Sequence, residues 1–323
     1  MMAFSPDTAQ RLRASGLRVV VTGASGWLGQ AALEMLEQAL DDEFPARVLA
    51  YGSYARALAM RCGRRIEIAP LAALGSLQAK PTLFLHNAFL TKDRVAGLTR
   101  SDYFRLSEEI SAAVVRAIPS VGVTKMLFPS SGAVYGLPTR PDRSTFDDPD
   151  ANPYGTQKLR DEWRFSDVCS RHGVRLAIPR IFSLSGPFIN KHDAYVLASV
   201  IKDALAGVSV RLRARHRVVR SYMAVRDLLD ATVGWLLAGS GPERVVFDTC
   251  GDIVEVGELA TRVLQALNRD DLPIDRPALG PEPDDVYHGS GEEFERLARS
   301  QGIRLAPLEQ QISDTAAYLR GLQ

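Results

Sequence analysis

A chain of 323 residues with 46% hydrophobic content can bury one large α/β core, alone or with a smaller lobe. Its 39 Lys and Arg against 38 Asp and Glu leave a formal net charge of +1, which argues against nucleic acid or a membrane surface as the main partner. No apolar run is long enough to span a bilayer, residues 1–13 lack the hydrophobic segment of a signal peptide, and Cys62, Cys169 and Cys250 are spaced for neither a disulfide framework nor a metal site, so a cytoplasmic protein with reduced thiols is expected.

Residues 1–16 read as a polar lead-in with a helical turn from Ser5-Pro6-Asp7. The run Leu17-Arg18-Val19-Val20-Val21 is β-branched and apolar, the pattern of a strand buried in a parallel sheet, and it breaks at Thr22-Gly23 into a glycine-spaced turn. Gly23 serves the tight turn and Gly26 the approach of backbone N–H groups to a pyrophosphate at the positive end of the next helix. Gly29 serves close packing of that helix on the strand. Glycine turns also join strands to helices with nothing bound, but a strand before and a helix after favour dinucleotide binding, with Gly23, Ser25, Gly26, Trp27, Leu28 and Gly29 against the cofactor. The helix, expected over 30–40, carries Ala31, Ala32, Leu33, Leu36 and Leu40 on one face and stops before Pro45.

A second strand is expected over 47–51. In a nicotinamide-binding fold its end meets the adenosine ribose, where an acid accepts the 2′-hydroxyl and an Arg accommodates a 2′-phosphate. Here Tyr51-Gly52-Ser53-Tyr54-Ala55-Arg56 has no carboxylate, which makes Ser53 and Arg56 a candidate phosphate cradle and tips the expected cofactor toward NADP(H) over NAD(H). The alternative is that Arg56 is a solvated charge on a short helix over 54–61. Strands follow over 65–69 and 82–86, the latter leading into Asn87-Ala88-Phe89, a turn where backbone passes under a cofactor. His86, at the strand end, reads as structural. Ser101-Asp102 caps a long helix through Tyr103, Leu106, Ile110, Val114 and Ile118. A fifth strand over 124–129 delivers Ser130-Ser131-Gly132-Ala133-Val134-Tyr135-Gly136 to the carboxyl end of the sheet, where open α/β sheets bind ligands.

After a polar loop over 137–151, Asn152 at the cap and Pro153 at the first helical position start a helix that places Tyr154 and Lys158 on one face, four residues apart. A phenol with a pKa of roughly 10 is a poor base, but a nearby ammonium favours its phenolate. Alone, the pair reads as surface residues at helical spacing; downstream of both the glycine turn and the Ser-Ser turn it reads as chemistry. A sixth strand is expected over 174–180 and a helix over 195–206. In 208–222 cations alternate with apolar residues, the period of strands with one basic face, suited to a diphosphate or to solvent. Helices over 225–237, 256–267 and 308–319, a strand over 245–248 and an acidic loop over 270–285 complete the chain.

The motifs Thr22-Gly23-Ala24-Ser25-Gly26-Trp27-Leu28-Gly29 and Ser130-Ser131-Gly132-Ala133-Val134-Tyr135-Gly136, with the Tyr154/Lys158 pair, resemble the extended short-chain dehydrogenase/reductase family, in its NAD-dependent epimerase/dehydratase group. The resemblance implies an α/β fold: a doubly wound parallel Rossmann sheet over 1–180 with a return near 222–250, and a smaller C-terminal α/β lobe, mainly 181–323, for a nucleotide-sugar substrate. It implies Tyr154 as general acid/base, Lys158 on the nicotinamide ribose and Ser131 on the reacting oxygen. Asn87, Ala88 and Ser130 join the cofactor contacts, and Gly132, Ser183, Arg211 and Arg220 the substrate contacts. It also implies a homodimer built through helices over 103–118 and 153–172.

The departures are equally informative. The segment Ile66-Glu67-Ile68-Ala69-Pro70 lacks an Asp against the adenine, Ser183 stands where an Asn is common, and Pro281-Glu282-Pro283-Asp284 lacks an Arg, leaving Arg211, Arg213, Arg215 and Arg217 as the substitute grip on the nucleotide. Gly132-Ala133 replaces the Asp-Glu pair of 4,6-dehydratases, which excludes that reaction from the expectation. What remains is hydride transfer at a ring carbon, C4, of a nucleotide sugar. The weak adenosine anchors favour a 4-ketoreductase over a cofactor-retaining 4-epimerase. A reading from another class, a dinucleotide-binding regulator without catalysis, is disfavoured because Ser131, Tyr154 and Lys158 are all present.

Overall fold

The computed structural model describes residues 2–91, 95–136, 151–239 and 241–322, so the loop expected over 137–151 lies, up to 150, outside the described residues. Contacts divide the chain into two compact units, Met1–Arg180 with Leu229–Phe247, and Ile181–Leu228 with Asp248–Gln323.

In the first unit the strands are β1 (Arg18–Thr22), β2 (Val48–Gly52), β3 (Arg56–Ala59), β4 (Arg65–Pro70), β5 (Thr82–His86), β6 (Val123–Leu127), β7 (Ser130–Ser131) and β8 (Arg175–Ile181). Among the described residues they form one sheet in the order Arg244–Asp248, β8, β6, β5, β1, β2, β4, β3, with β7 beside β8. β1 is central and parallel to both neighbours, with Val21 level with Ala50 on one side and Leu85 on the other. Val19, Val20 and Val21 are wholly buried, as their unbroken apolar run requires. From β1 the chain steps to β2 and β4, then returns to the other side for β5, β6 and β8. The strand order therefore reverses between β1 and β5, and the carboxyl ends of those two strands flank the crevice where doubly wound sheets take ligands.

The helix Trp27–Leu40 starts three residues earlier than its apolar spacing suggests and is buried at Glu34, Met35 and Glu37 as well as on the expected face. The helices Arg100–Val121 and Pro153–Arg171 cover the sheet, closing a core of Val20, Phe84, Val114, Ile118, Phe128 and Phe165. Thr99, not Ser101, caps the first of these by accepting from the Asp102 N–H. The lead-in is a full helix, Pro6–Ser15, capped by Ser5. Among the described residues no helix is long and apolar enough to cross a membrane.

The helix expected over 54–61 is instead β3, the antiparallel edge strand of a hairpin with β4 in which Arg56 opposes Ile68 and Ala59 opposes Arg65. Residues with fair helix propensity are overridden by pairing to an available sheet edge. Two ion pairs pin the hairpin tip to the helix Trp27–Leu40. Arg61 Nε donates to Glu34 at 2.7 Å and Arg64 Nε donates to Glu37 at 3.0 Å, both carboxylates being buried.

In the second unit Val218–Ala224 is the middle strand of a small mixed sheet, antiparallel to Asp252–Glu255 and parallel to Asp285–Tyr287. The basic ribbon expected over 208–222 is hydrogen-bonded as strand only at Val210–Arg211 and Val218–Ala224, although exposure still alternates, with Arg211, Arg213, Arg215 and Arg217 outward. A further helix, Glu292–Ser300, has no counterpart in the sequence reading.

Among the described residues, removing Arg61 leaves the buried Glu34 carboxylate with the Met2 N–H, at 2.7 Å, and no cation. Arg61→Ala is expected to lower unfolding free energy by about 2 kcal/mol in urea titrations. An unchanged midpoint would show that the pair does not hold the hairpin.

Candidate functional site

The site of the first unit begins at the turn between β1 and the helix Trp27–Leu40. Gly23 has φ +63°, and a Cβ there would lie 2.5 Å from the Asn87 backbone; a Cβ on Gly29 would lie 2.2 Å from the Gly23 carbonyl oxygen. Each position is filled to the backbone, so only glycine fits. Gly26 is the helix N-cap, and the first turn carries no acidic residue, leaving the positive end of the helix dipole unopposed by side chains. The turn is tied sideways by the Ala24 N–H to the Tyr51 carbonyl at 3.1 Å and by the Asn87 N–H to the Thr22 carbonyl at 3.1 Å. Ser25, Trp27 and Leu28 line this turn and are partly exposed. The cradle fits a dinucleotide pyrophosphate, which needs close backbone approach and a helix N-terminus rather than a cationic side chain.

Asn87 and Ala88 leave β5 beside that turn, and the Ala88 N–H donates to Thr22 Oγ1 at 3.3 Å. Ser53 is exposed just past β2. Arg56 is exposed on β3, where Nη1 donates to Tyr54 Oη at 3.1 Å and the guanidinium lies 5.2 Å from the Tyr54 ring centroid.

The second half of the site is built where β6 ends. Ser131 Oγ accepts from the Ala133 N–H at 3.2 Å, the Asn152 side chain donates to the Ala133 carbonyl at 2.7 Å, and Asn152 Oδ1 accepts from the Gly155 N–H at 3.1 Å. The expected cap thus fastens the start of the Tyr154 helix to the Ser131-Gly132 turn. One helical turn on, Lys158 is 5% exposed, and its Nζ donates to the Pro129 carbonyl at 2.6 Å. The ammonium lies 3.7 Å from the Phe89 ring centroid and 4.8 Å from that of Phe128. Burial pushes the Lys158 amine down to about 7, with Asp161 and Glu162 opposing the shift. Phe89 also meets the Tyr154 ring edge-on, at 5.5 Å and 87°. Tyr154 and Lys158 therefore share one aromatic neighbour from the end of β5.

Three residues of this site were given no side-chain role by the sequence. Phe89 is one; the others are Glu162 and Arg180. Glu162 Oε1 accepts from Ser130 Oγ at 2.5 Å and from Arg180 Nε at 3.0 Å, while Arg180 Nη1 donates to Tyr135 Oη at 2.6 Å. The Ser130 hydroxyl is thus engaged by a buried carboxylate. The signal for Glu162 lay in the spacing, since Tyr154, Lys158 and Glu162 recur every four residues on one helical face.

Of the expected substrate contacts, Gly132 is buried in the turn after Ser131. Ser183, Arg211 and Arg220 belong to the second unit. The Ser183 carbonyl accepts from the Met223 N–H at 3.1 Å, and Arg211 is exposed. Arg220 makes a two-pronged pair with Asp285, at 2.7 and 3.1 Å.

The model of the NAD dependent epimerase/dehydratase family matches residues 19–247. The chain is similar to a UDP-glucose 4-epimerase of Azospirillum brasilense, 29% identical over 253 residues and covering 69% of each protein. Among solved structures it is similar to a UDP-N-acetylglucosamine 4-epimerase from Methanobrevibacter ruminantium in complex with UDP-N-acetylmuramic acid, at TM-score 0.74 and 18% identity over 95% of this chain and 99% of that one. A dTDP-glucose 4,6-dehydratase double mutant from Streptomyces venezuelae with NAD bound matches at TM-score 0.69 and 18% identity, over 94% and 97% of the two chains. These likenesses bear out the Rossmann-type α/β fold.

His86 is buried, within 2.7 Å of Thr22 Oγ1 through Nδ1, and packed against Phe128 and Phe165. Burial, and then the Lys158 charge, push its pKa from 6.5 to about 3. As pH falls below 6.5 the unfolded chain takes up a proton that the folded chain refuses, so stability is lost progressively down to about 3. His86→Gln is expected to flatten the fall of the urea midpoint across that window. Parallel pH dependence in the two proteins would contradict this.

Proposed function

The chain belongs to the NAD dependent epimerase/dehydratase family, and we propose that it is an NAD(P)-dependent oxidoreductase acting at a ring carbon, C4, of a nucleotide-activated sugar. The observation that carries the reading is the buried Lys158 ammonium one helical turn from Tyr154, on the same unit as a glycine cradle closed to any side chain. The first unit is proposed to bind the dinucleotide and the second the nucleotide sugar.

A bound nicotinamide supplies hydride to the sugar carbon in reduction and accepts it in oxidation. In the reducing direction Tyr154 gives its phenolic proton to the forming alkoxide, and Ser131 donates a hydrogen bond to the same oxygen. Lys158 holds the nicotinamide ribose and, while protonated, stabilises the phenolate that Tyr154 becomes. In oxidation the proton runs the other way. Ser53 and Arg56 are proposed to receive the 2′-phosphate of NADP(H), because β2 ends without a carboxylate for a free 2′-hydroxyl. On the second unit, the outward Arg211 supplements Arg220, whose charge Asp285 already balances.

The missing adenosine carboxylates favour a 4-ketoreductase that exchanges its cofactor each turnover. The 29% identical 4-epimerase relative favours the second reading, a 4-epimerase that keeps it. Gly132-Ala133, in place of an Asp-Glu pair, disfavours dehydration. The reading extends to a homodimer through the helices Arg100–Val121 and Pro153–Arg171, where Trp163 is 57% exposed.

The test is product analysis by mass spectrometry on nucleotide sugars and their 4-keto forms, with NADH and NADPH supplied in turn. Tyr154→Phe is expected to reduce turnover by about 100-fold or more while leaving dinucleotide affinity in place. Turnover equal to the wild type would remove Tyr154 from the chemistry. Dinucleotide retained in one-to-one ratio through purification would decide for the epimerase.

A further inference from the structure

The turn that follows β8 is held by the C-terminal helix, Leu308–Arg320, and all the residues concerned belong to the second unit. Ser183 is the second residue past the carboxyl end of β8, and after the short strand Leu184–Ser185 the chain turns through Gly186, Pro187 and Phe188. Gln311, Thr315 and Tyr318, at positions i, i+4 and i+7 on one face of the helix, meet this turn in order. Ser185 Oγ donates to Gln311 Oε1 at 2.6 Å, the Gly186 N–H donates to Thr315 Oγ1 at 2.8 Å, and the Phe188 ring lies 5.4 Å from that of Tyr318. The acceptors are themselves oriented. Gln311 Nε2 donates to the Tyr222 carbonyl at 3.2 Å and to the Ala306 carbonyl at 2.9 Å, and the Thr315 hydroxyl donates to the Gln311 carbonyl at 2.7 Å. A flipped carboxamide would set its oxygen against two carbonyls, so Oε1 is fixed toward Ser185.

The turn so held is strained. Phe188 has φ +69°, in the left-handed region that a bulky side chain rarely enters. Such a residue persists only where its surroundings over-determine it, and such residues cluster at ligand clamps. The strain of one left-handed residue and the net worth of one buried hydrogen bond are of similar size, so the loss of a single bond to the helix lets the turn relax. Residues 185–188 are buried, while Ser183 and Leu184 stay partly exposed just past the strand end, the side on which an open sheet takes its ligand. We propose that Gln311 and Thr315 are positioning residues for nucleotide-sugar binding, holding the turn over 183–188 in the strained form that accepts the substrate. This rests on the assignment of the nucleotide sugar to the second unit, and adds to it two residues of a distant helix that act through the turn without touching the ligand.

Thr315→Val keeps the shape of the side chain and removes the acceptor, whereas Thr315→Ser keeps the hydroxyl. Calorimetry on the full chain measures binding of UDP-glucose, dTDP-glucose and GDP-glucose and, separately, of NAD⁺, alongside the melting temperature of the ligand-free protein. Thr315→Val is expected to bind the nucleotide sugar that the wild type prefers about tenfold more weakly, with NAD⁺ affinity within about twofold of wild type and Thr315→Ser restored to within that range for the sugar. Unchanged sugar affinity would overturn the proposal, and a lowered melting temperature beside it would mark a bond that serves stability alone. An equal loss for NAD⁺, or a serine variant as weak as the valine one, would overturn it too. Should the valine variant not fold, Ser185→Ala, which breaks the bond to Gln311, is put through the same comparison. A wild type that binds none of the three nucleotide sugars would instead overturn the nucleotide-sugar reading, and this inference with it.

Discussion

The site depends on a charged amine kept out of water. Among the described residues Lys158 donates to the Pro129 carbonyl and faces the rings of Phe89 and Phe128. Desolvating an ammonium is costly, and carbonyl, ring faces and the nearby Asp161 and Glu162 offset that only while all are held in place. Three elements supply them. The end of β6 brings Phe128 and Pro129, the end of β5 brings Phe89, and the capped helix brings Lys158 with its acids. An amine whose pKa lies near neutrality and whose position is over-determined is well suited to share charge with a phenol one turn away.

The rest of the unit positions those three ends. Parallel strands buried on both faces place their carboxyl ends at one edge of the sheet, and the reversal of strand order between β1 and β5 opens a crevice there. The glycines close that crevice to side chains while leaving it open to a ligand's phosphates. Glu162 then links the turn to the helix, since it accepts from Ser130 and from Arg180 at the end of β8. A carboxylate with no role in proton transfer in the proposed chemistry thereby fixes the turn that carries Ser131.

Local patterns were readable in the sequence and long-range partners were not. The glycine spacing, the Asn152-Pro153 helix start and the Tyr154/Lys158 spacing are each set within a few residues, and the described elements match them. The hairpin of β3 and β4 was misread because Arg56–Ala59 takes its conformation from residues across a turn and from a sheet edge, not from its own propensity. Phe89 was read only as part of a small-residue turn, since its contacts to Tyr154 and Lys158 join segments far apart in the chain. The cap of Arg100–Val121 was placed at Ser101 because Thr99 and Ser101 are both competent, and only the backbone geometry chooses. In the second unit, period-two charge alternation was visible, but the brevity of its strands was not.

The most direct measurement is an ultraviolet pH titration of tyrosinate in the NAD⁺-bound protein, compared with Tyr154→Phe and Lys158→Met. One phenolate is expected to form well below the ordinary value of about 10 in the wild type, to vanish in Tyr154→Phe, and to return toward that value in Lys158→Met. A wild-type titration that superimposes on that of Tyr154→Phe below that value would mean that the buried amine does not tune this phenol, and would contradict the proposed chemistry at its centre.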